Sequence, residues 1–188
     1  VISQLGDIQK GRIFQAKGMD YDLGELLGGS EHETLFTEGK FATLYLAPRD
    51  YHRIHMPIEG DLQTMIHVPG KLFSVNAKTT NRVPRLFARN ERVIAIFSTP
   101  IGPMAIVLVG AMIVASIHTA WHGQVTPPEH KAITLWDYTT QPIHLERAAE
   151  MGHFQLGSTV IVIFPKDTMH WADYLQPGQS VHLGQKMG

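Results

Sequence analysis

The chain of 188 residues contains no cysteine. That excludes a disulfide scaffold, thiolate metal ligation and a catalytic thiol, and leaves the redox compartment undetermined. An excess of charge is missing too, since 16 Lys and Arg against 17 Asp and Glu give a formal net charge of −1. No overall basic surface for nucleic acid or anionic lipid follows from that balance, although a local patch is compatible with it. Long apolar runs are also absent. The most apolar stretch, Met104 to Ile117, spans 14 residues with Gly110 and Ser116 inside it, short of the roughly 20 that a membrane helix needs. It reads as two consecutive buried strands, or as one bent strand with a bulge at Gly110. The start, Val1-Ile-Ser, carries no basic region followed by an apolar one, so no signal peptide is read there, and a truncated or processed start is expected.

What is present fits one domain with a sizeable core. Short extended pieces bounded by glycine open the chain, Val1 to Leu5 and Arg12 to Ala16. Leu23, Leu26 and Leu27, at i, i+3 and i+4 between Asp22 and Gly28-Gly29, predict a short helix with an Asp cap and a glycine stop. Phe41 to Ala47, Gln63 to Val68 and Arg92 to Phe97 read as strands. Between the last two, Leu72 to Phe87 reads as loop with short helical turns, where Asn81, Arg85 and Asn90 are each expected to face solvent. The polar, proline-punctuated stretch after Trp121 is hardest to assign. Near the end, Trp171, Tyr174 and Leu175 predict a packing turn before a strand around Ser180-Val-His-Leu183. These many short strands with few helices predict an α+β fold, mainly antiparallel β.

Two segments carry possible chemistry. Phe154-Gln-Leu-Gly-Ser-Thr-Val-Ile-Val-Ile-Phe164 is a Gly-Ser pair opening into an apolar, β-branched run, which by itself is a turn before a buried strand. Pro48-Arg-Asp-Tyr-His-Arg-Ile-His-Met-Pro57 places His52 and His55 three apart, on one side if the segment is a helical turn. Read from these residues alone, the histidines are first a pair satisfied by backbone carbonyls, then a metal pair, then acid-base groups. A zinc site needs a third protein ligand, and none is identifiable by spacing. His118, His122, His130, His144 and His153 are scattered without ligand spacing and read as surface or core residues.

Together the two segments resemble the phosphatidylserine decarboxylase family. The resemblance also runs, in order, through Gly18, Leu72-Phe-Ser-Val-Asn76, Phe87-Ala-Arg-Asn-Glu-Arg-Val93, Gly102-Pro-Met104, Val109-Gly-Ala111 and Thr126-Pro-Pro128. It implies a barrel-sandwich-like core and a precursor that cuts itself at Gly157-Ser158, giving pieces 1–157 and 158–188. It also implies that His55 is the base for that cut. Acid-base work then becomes the leading role of the pair.

The implied chemistry is physically coherent. A peptide bond after glycine offers little hindrance to the next side chain, and a serine hydroxyl attacks once a base takes its proton. The acyl group moves from nitrogen to oxygen; elimination then frees Gly157 and leaves dehydroalanine, which hydrolyses to a pyruvoyl group with loss of ammonia. In the family an Asp from a Pro-x-Asp-Gly segment, just before the position matching Val1, completes a Ser-His-Asp arrangement; that Asp is not among these residues. The pyruvoyl group made from Ser158 is the implied cofactor, forming a Schiff base with an amine substrate and accepting the electrons left when carbon dioxide departs. His52 is the implied proton donor to carbon. The implied substrate is phosphatidylserine and the product phosphatidylethanolamine, with Met56, Leu72 and Phe73 as candidates for the apolar rim of the substrate pocket. A homodimer, peripheral on the cytoplasmic side of the bacterial inner membrane, is implied as well. A metal-dependent hydrolase using His52 and His55, and a non-catalytic β-barrel binding module, are the alternatives from other classes.

Overall fold

The computed structural model describes residues 1–112, 116–128 and 131–188. In chain order its elements begin with β1 (Ile2–Asp7), β2 (Arg12–Ala16), β3 (Met19–Asp22), α1 (Leu23–Leu26) and a 3-10 segment at Ser30–Leu35. Then come β4 (Lys40–Leu46), β5 (Arg53–His55), β6 (Gly60–Val68), α2 (Ala77–Thr80), α3 (Leu86–Arg89), β7 (Arg92–Thr99) and β8 (Gly102–Val109). The chain continues through β9 (Ile117–Thr119), β10 (Gly123–Gln124), β11 (Thr134–Asp137), β12 (Ile143–Leu145), β13 (Glu150–Phe154) and β14 (Ser158–Phe164).

Eight strands form one antiparallel sheet in the order β1-β4-β14-β8-β7-β6-β11, with β12 on β6 beside β11. A second sheet runs β10-β9-β13-β5, and β2 with β3 makes a separate hairpin. Neither large sheet closes on itself, so the architecture is α+β and mainly antiparallel β, with open edges. All seven residues of β14 are buried. Alternation fails there because both faces are covered, which turns a half-polar pattern into a continuous apolar run. The smaller sheet meets the larger through Thr119, whose hydroxyl lies 3.9 Å from Met65 Sδ, and through the edge-on pair Phe97 and Trp121, 5.9 Å between centroids.

The short helices cover the far end of the core. Asp22 caps α1 by accepting from the Glu25 amide at 2.8 Å, as its spacing predicts, and Gly28, at φ +78°, carries the chain out. Four residues make a helix too short to satisfy its own carbonyls. The fully buried guanidinium of Arg92 does so instead, donating to Glu25 and Leu26 of α1 at 2.6 and 2.7 Å, to Ala88 of α3 at 2.7 Å and to Asn90 at 2.9 Å. Burial brings its pKa down to about 10, opposed by the attraction of Glu25 and Tyr21. Buried Gln15 likewise donates to the Thr80 and Val83 carbonyls, both at 2.8 Å, and accepts from the Leu86 amide at 2.9 Å, tying the hairpin to α2 and α3.

Several expectations change. The Met104 to Ile117 stretch is two strands in different sheets, β8 and β9, parting after Val109; residues 113–115 lie outside the described ones. No strand forms around Ser180 to Leu183: residues 165–188 are turns and extended chain. Gly178 and Gly184, at φ +88° and +83°, turn the backbone too often for a ladder, and Leu183 is 66% exposed. The tail instead lies along the open edge at β1, where Ile2 donates to the Gln179 carbonyl at 2.9 Å and Gly178 to that of Ile2 at 2.8 Å. Leu175 is buried as expected, whereas Tyr174 is exposed. Asn81 and Arg85 face solvent, but Asn90 is fully buried. It accepts from the Phe73 amide at 3.0 Å and donates to the Phe73 and Gly110 carbonyls, both at 2.8 Å, groups that would otherwise be left unpaired where β8 ends.

Replacing Arg92 by Met keeps the stem and strips four carbonyls of their donors. Arg92→Met is expected to destabilise the fold by about 3 kcal/mol or more, read as a lower urea midpoint at unchanged slope.

Candidate functional site

Strand pairing decides where Ser158 lies. β14 is registered between β4 and β8, with Ser158 opposite Leu46, and Thr159 opposite both Tyr45 and Val109. Ser158 is completely buried, and its hydroxyl donates to the Val109 carbonyl. Gly157 precedes it at φ +33°, a left-handed conformation. A Cβ there would sit 3.1 Å from both the Leu46 carbonyl oxygen and the Pro48 nitrogen, so glycine is required by conformation and by space. The peptide bond joining them is thus pinned at the mouth of the central strand.

The histidine segment leaves β4 through a tight turn. The Ala47 amide donates to Asp50 Oδ2 and the Asp50 amide to the Ala47 carbonyl, both at 2.8 Å. His52 Nε2 lies 3.1 Å from the same Ala47 carbonyl. Because a carbonyl only accepts, Nε2 carries the proton, and in the neutral ring Nδ1 holds the lone pair. The Phe154 amide donates to the His52 carbonyl at 3.1 Å, joining this segment to the one that leads into Gly157.

His55 is arranged the other way round. It lies in β5, a strand and not the helical turn that would bring both rings to one side. Its Nδ1 is 2.7 Å from the Ala148 carbonyl and its Nε2 2.8 Å from the Tyr51 hydroxyl, with the Tyr51 ring stacked on it at 5.7 Å between centroids. Nδ1 therefore carries the proton and Nε2 accepts from Tyr51 in the neutral ring. Ala148 presents its carbonyl from φ +67°, a conformation that costs a non-glycine residue about 1 kcal/mol or more. Nearby, Arg53 Nη1 lies 2.7 and 2.6 Å from the two Glu150 oxygens. Burial raises the Glu150 pKa, but the hydrogen bonds from Arg53 and His153 outweigh it and hold the carboxyl below its ordinary range.

The structure thus brings Gly157, Ser158 and the turn carrying His52 together. His55 is not hydrogen-bonded to Ser158: one ring faces Tyr51 and Ala148, while the hydroxyl faces Val109. Met56 is 2% exposed and packs in the core, away from any rim open to solvent. Leu72 is 46% exposed, and Phe73 is partly buried beneath the Arg89 guanidinium, 4.8 Å from its centroid. A shallow cleft of about 50 Å³ opens beside Gly157, lined by Tyr45, Leu46, Pro48, Ser74, Val75, Asn76, Ala111, Met112 and Leu156.

The remaining histidines are dispersed. His118 and His153 stack at 4.8 Å in the smaller sheet, His122 meets the Trp136 ring edge, His144 bonds Asp61 at 2.7 Å, and His130 lies outside the described residues. Among the described residues no group of three or more His, Asp or Glu side chains is placed as metal ligands. Sequence reasoning passed over Tyr51, Ala148 and the Val109 carbonyl, and placed Asn90 in solvent. Tyr51 was in view, inside the histidine segment; the carbonyls leave no mark on residue type.

Comparison with known proteins identifies relatives along the whole chain. A family model described as phosphatidylserine decarboxylase matches residues 1–188. Proteins named phosphatidylserine decarboxylase proenzyme from Idiomarina loihiensis and Psychromonas ingrahamii are each 58% identical, over 99% and 98% of this chain. One from Methylococcus capsulatus is 55% identical over 100% of it. The chain spans about 65% of the length of the first two and 66% of the third.

The bonding predicts opposite tautomers, which nitrogen-resolved histidine NMR reads directly. At a pH where both rings are neutral, His55 is expected as Nδ1–H and His52 as Nε2–H; the same tautomer at both would contradict the geometry. Burial, and secondarily the neighbouring His153, lowers the His118 pKa. His118 is therefore expected to titrate below free histidine, and His153→Ala to raise its midpoint part of the way.

Proposed function

The chain belongs to the phosphatidylserine decarboxylase family, and on that premise we propose that it is the catalytic portion of a self-processing, pyruvoyl-dependent enzyme that converts phosphatidylserine to phosphatidylethanolamine and carbon dioxide. The observation that carries this reading is the Gly157-Ser158 bond, held in a left-handed turn at the head of a doubly paired strand and beside a cleft.

The residues fit the group that the reading requires. Ser158 is the first residue of β14, its hydroxyl donates to the Val109 carbonyl, and the preceding Gly157 lines the cleft. When formed from Ser158, a pyruvoyl group supplies an electron-accepting carbonyl for decarboxylation. For self-cleavage, Ser158 Oγ attacks the Gly157 carbonyl carbon, the C–N bond breaks as the Ser158 nitrogen takes up the proton that the hydroxyl gave to the base, and the glycine acyl group passes to oxygen; loss of the Ser158 α-proton then breaks the Cβ–O bond and releases Gly157 as a carboxylate. His55 takes the hydroxyl proton at Nε2, the ring nitrogen that accepts in the observed tautomer, once the Tyr51 hydroxyl gives way to that of Ser158. Ser158 in turn leaves the Val109 carbonyl. His52 keeps its Nε2 proton on Ala47, takes up a second proton from solvent at Nδ1, and as the imidazolium delivers that proton to the product carbon.

On this reading the chain divides into 1–157 and 158–188, and substrate enters by the cleft, with Leu72 and Phe73 near its wall. We extend the proposal to a homodimer peripheral on the cytoplasmic side of the bacterial inner membrane, on the ground of family membership.

The test is the intact mass of the denatured protein, made with the Asp-bearing segment that the family resemblance implies ahead of Val1. Two pieces meeting at Gly157/Ser158 are expected, the smaller lighter by one ammonia than the unmodified fragment. Ser158→Ala and His55→Ala should each leave one uncut chain. His52→Ala should cut normally yet release no carbon dioxide from phosphatidylserine. Normal cutting of the Ser158→Ala protein would overturn the self-processing assignment; normal turnover by the His52→Ala protein would remove His52 from its role.

A further inference from the structure

The near-zero net charge conceals a segment of one sign. Between Lys71 and Asn90 the chain carries Lys71, Lys78, Arg82, Arg85 and Arg89 and not one Asp or Glu. Two of these cations are engaged: Arg85 pairs with Glu25 at 3.0 Å, and Arg89 lies over Phe73 and donates to the Pro84 carbonyl at 3.3 Å. Lys71, Lys78 and Arg82 are exposed, and among the described residues none has a carboxylate within ion-pair distance.

This segment is part of the cleft and not merely near it. Ser74, Val75 and Asn76 form one wall, and Asn76 caps α2, which carries Lys78. Asn90 bolts the segment down by bonding Phe73 and Gly110, while the Lys71 amide donates to the Arg89 carbonyl at 2.8 Å. Two large apolar side chains stand out of the same margin. Met112, on the cleft, is 70% exposed, and Leu72, whose Cδ2 lies 3.4 Å from the Cβ position of Gly110, is 46% exposed.

Unpaired cations beside bare Leu and Met describe a partner with both anionic groups and hydrocarbon at one boundary. A folded acidic protein or a nucleic acid supplies the first without a continuous layer of the second. An anionic bilayer supplies both, with phosphates at the depth that lysine reaches and acyl chains just beneath. We propose that Lys71, Lys78 and Arg82, together with the exposed Leu72 and Met112 at the cleft margin, form a docking face for an anionic membrane surface, which sets the cleft mouth against the lipid. This rests on the lipid-decarboxylase reading for its purpose, but the binding itself involves no turnover.

Vesicles of phosphatidylcholine, with or without about one-third phosphatidylglycerol, test it by co-sedimentation of the 188-residue chain. Phosphatidylglycerol has no serine to decarboxylate, so a failure of the catalytic reading leaves this result untouched. The chain is expected to bind the anionic vesicles in preference to the neutral ones. The triple variant Lys71→Gln/Lys78→Gln/Arg82→Gln should weaken that binding on the order of a hundredfold, from about tenfold or less per cation near the surface. Leu72→Ser/Met112→Ser should bind at low salt yet lose the part that survives near 1 M salt, where screening shortens the Debye length to about 3 Å. A control triple, Lys10→Gln/Lys17→Gln/Lys166→Gln, removes the same charge from other exposed sites and should bind like the parent. Circular dichroism melts verify the fold of each variant. Equal binding to both vesicle types, or equal loss in the two triples, would overturn the proposal.

Discussion

Strand β14 is hydrogen-bonded along both edges and buried on both faces, and that double constraint fixes the position of the Gly157-Ser158 bond. A slip of one residue would exchange every side chain between faces and would also break two ladders at once. No compensating register exists, because β4 and β8 are themselves paired to β1 and β7. The serine at the head of the strand is therefore located by the packing of the whole sheet, although it carries no apolar side chain of its own. Asn90 and Arg92 extend the same constraint outward. One closes the backbone where β8 ends, and the other the short helices that lie over the core.

Backbone carbonyls act as the organisers of the site. Ala47, Val109 and Ala148 each accept from a side chain that the proposed chemistry uses. A carbonyl carries no net charge and does not titrate, so it sets the orientation and tautomer of a ring while leaving the lone pair on the other nitrogen free to take up and release a proton. The left-handed backbone at Ala148 is the local cost of aiming one of them.

What was legible in the sequence is what depends on neighbours along the chain. The Asp22 cap, the strands β4, β6 and β7, and the buried run of β14 are written in local spacing, and the structure has them. The helical turns between Leu72 and Phe87 are there as well, as α2 and α3. The strand expected around Ser180 is a misreading of four residues that alternate, in a segment where glycines redirect the chain after only one residue has paired with the edge at β1. Asn90 looked like a surface residue because a polar side chain in a loop usually is one; its burial follows from backbone groups contributed by Phe73 and Gly110, distant in sequence. The site shows the same division. Ser158 and the two histidines stand out by type and motif, whereas the Tyr51 and Ala148 contacts to His55 depend on how β5 and β13 pair. Met56 follows its apolar character into the core, against its candidacy for a rim.

The tail that runs from β14 onto the edge at β1 has a topological consequence. Of residues 158–188, the first seven thread through the middle of the sheet, with β4 on one side of β14 and β8 on the other, and Gly178 and Gln179 then bond the start of the chain at Ile2. If the backbone is severed ahead of Ser158, the two lengths become separate molecules only in the covalent sense. Parting them means pulling a central strand out of two ladders and stripping Gln179 from Ile2, which amounts to unfolding the protein. The pieces would behave as an interlocked, kinetically trapped complex whose dissociation is governed by the unfolding rate and not by a conventional binding equilibrium.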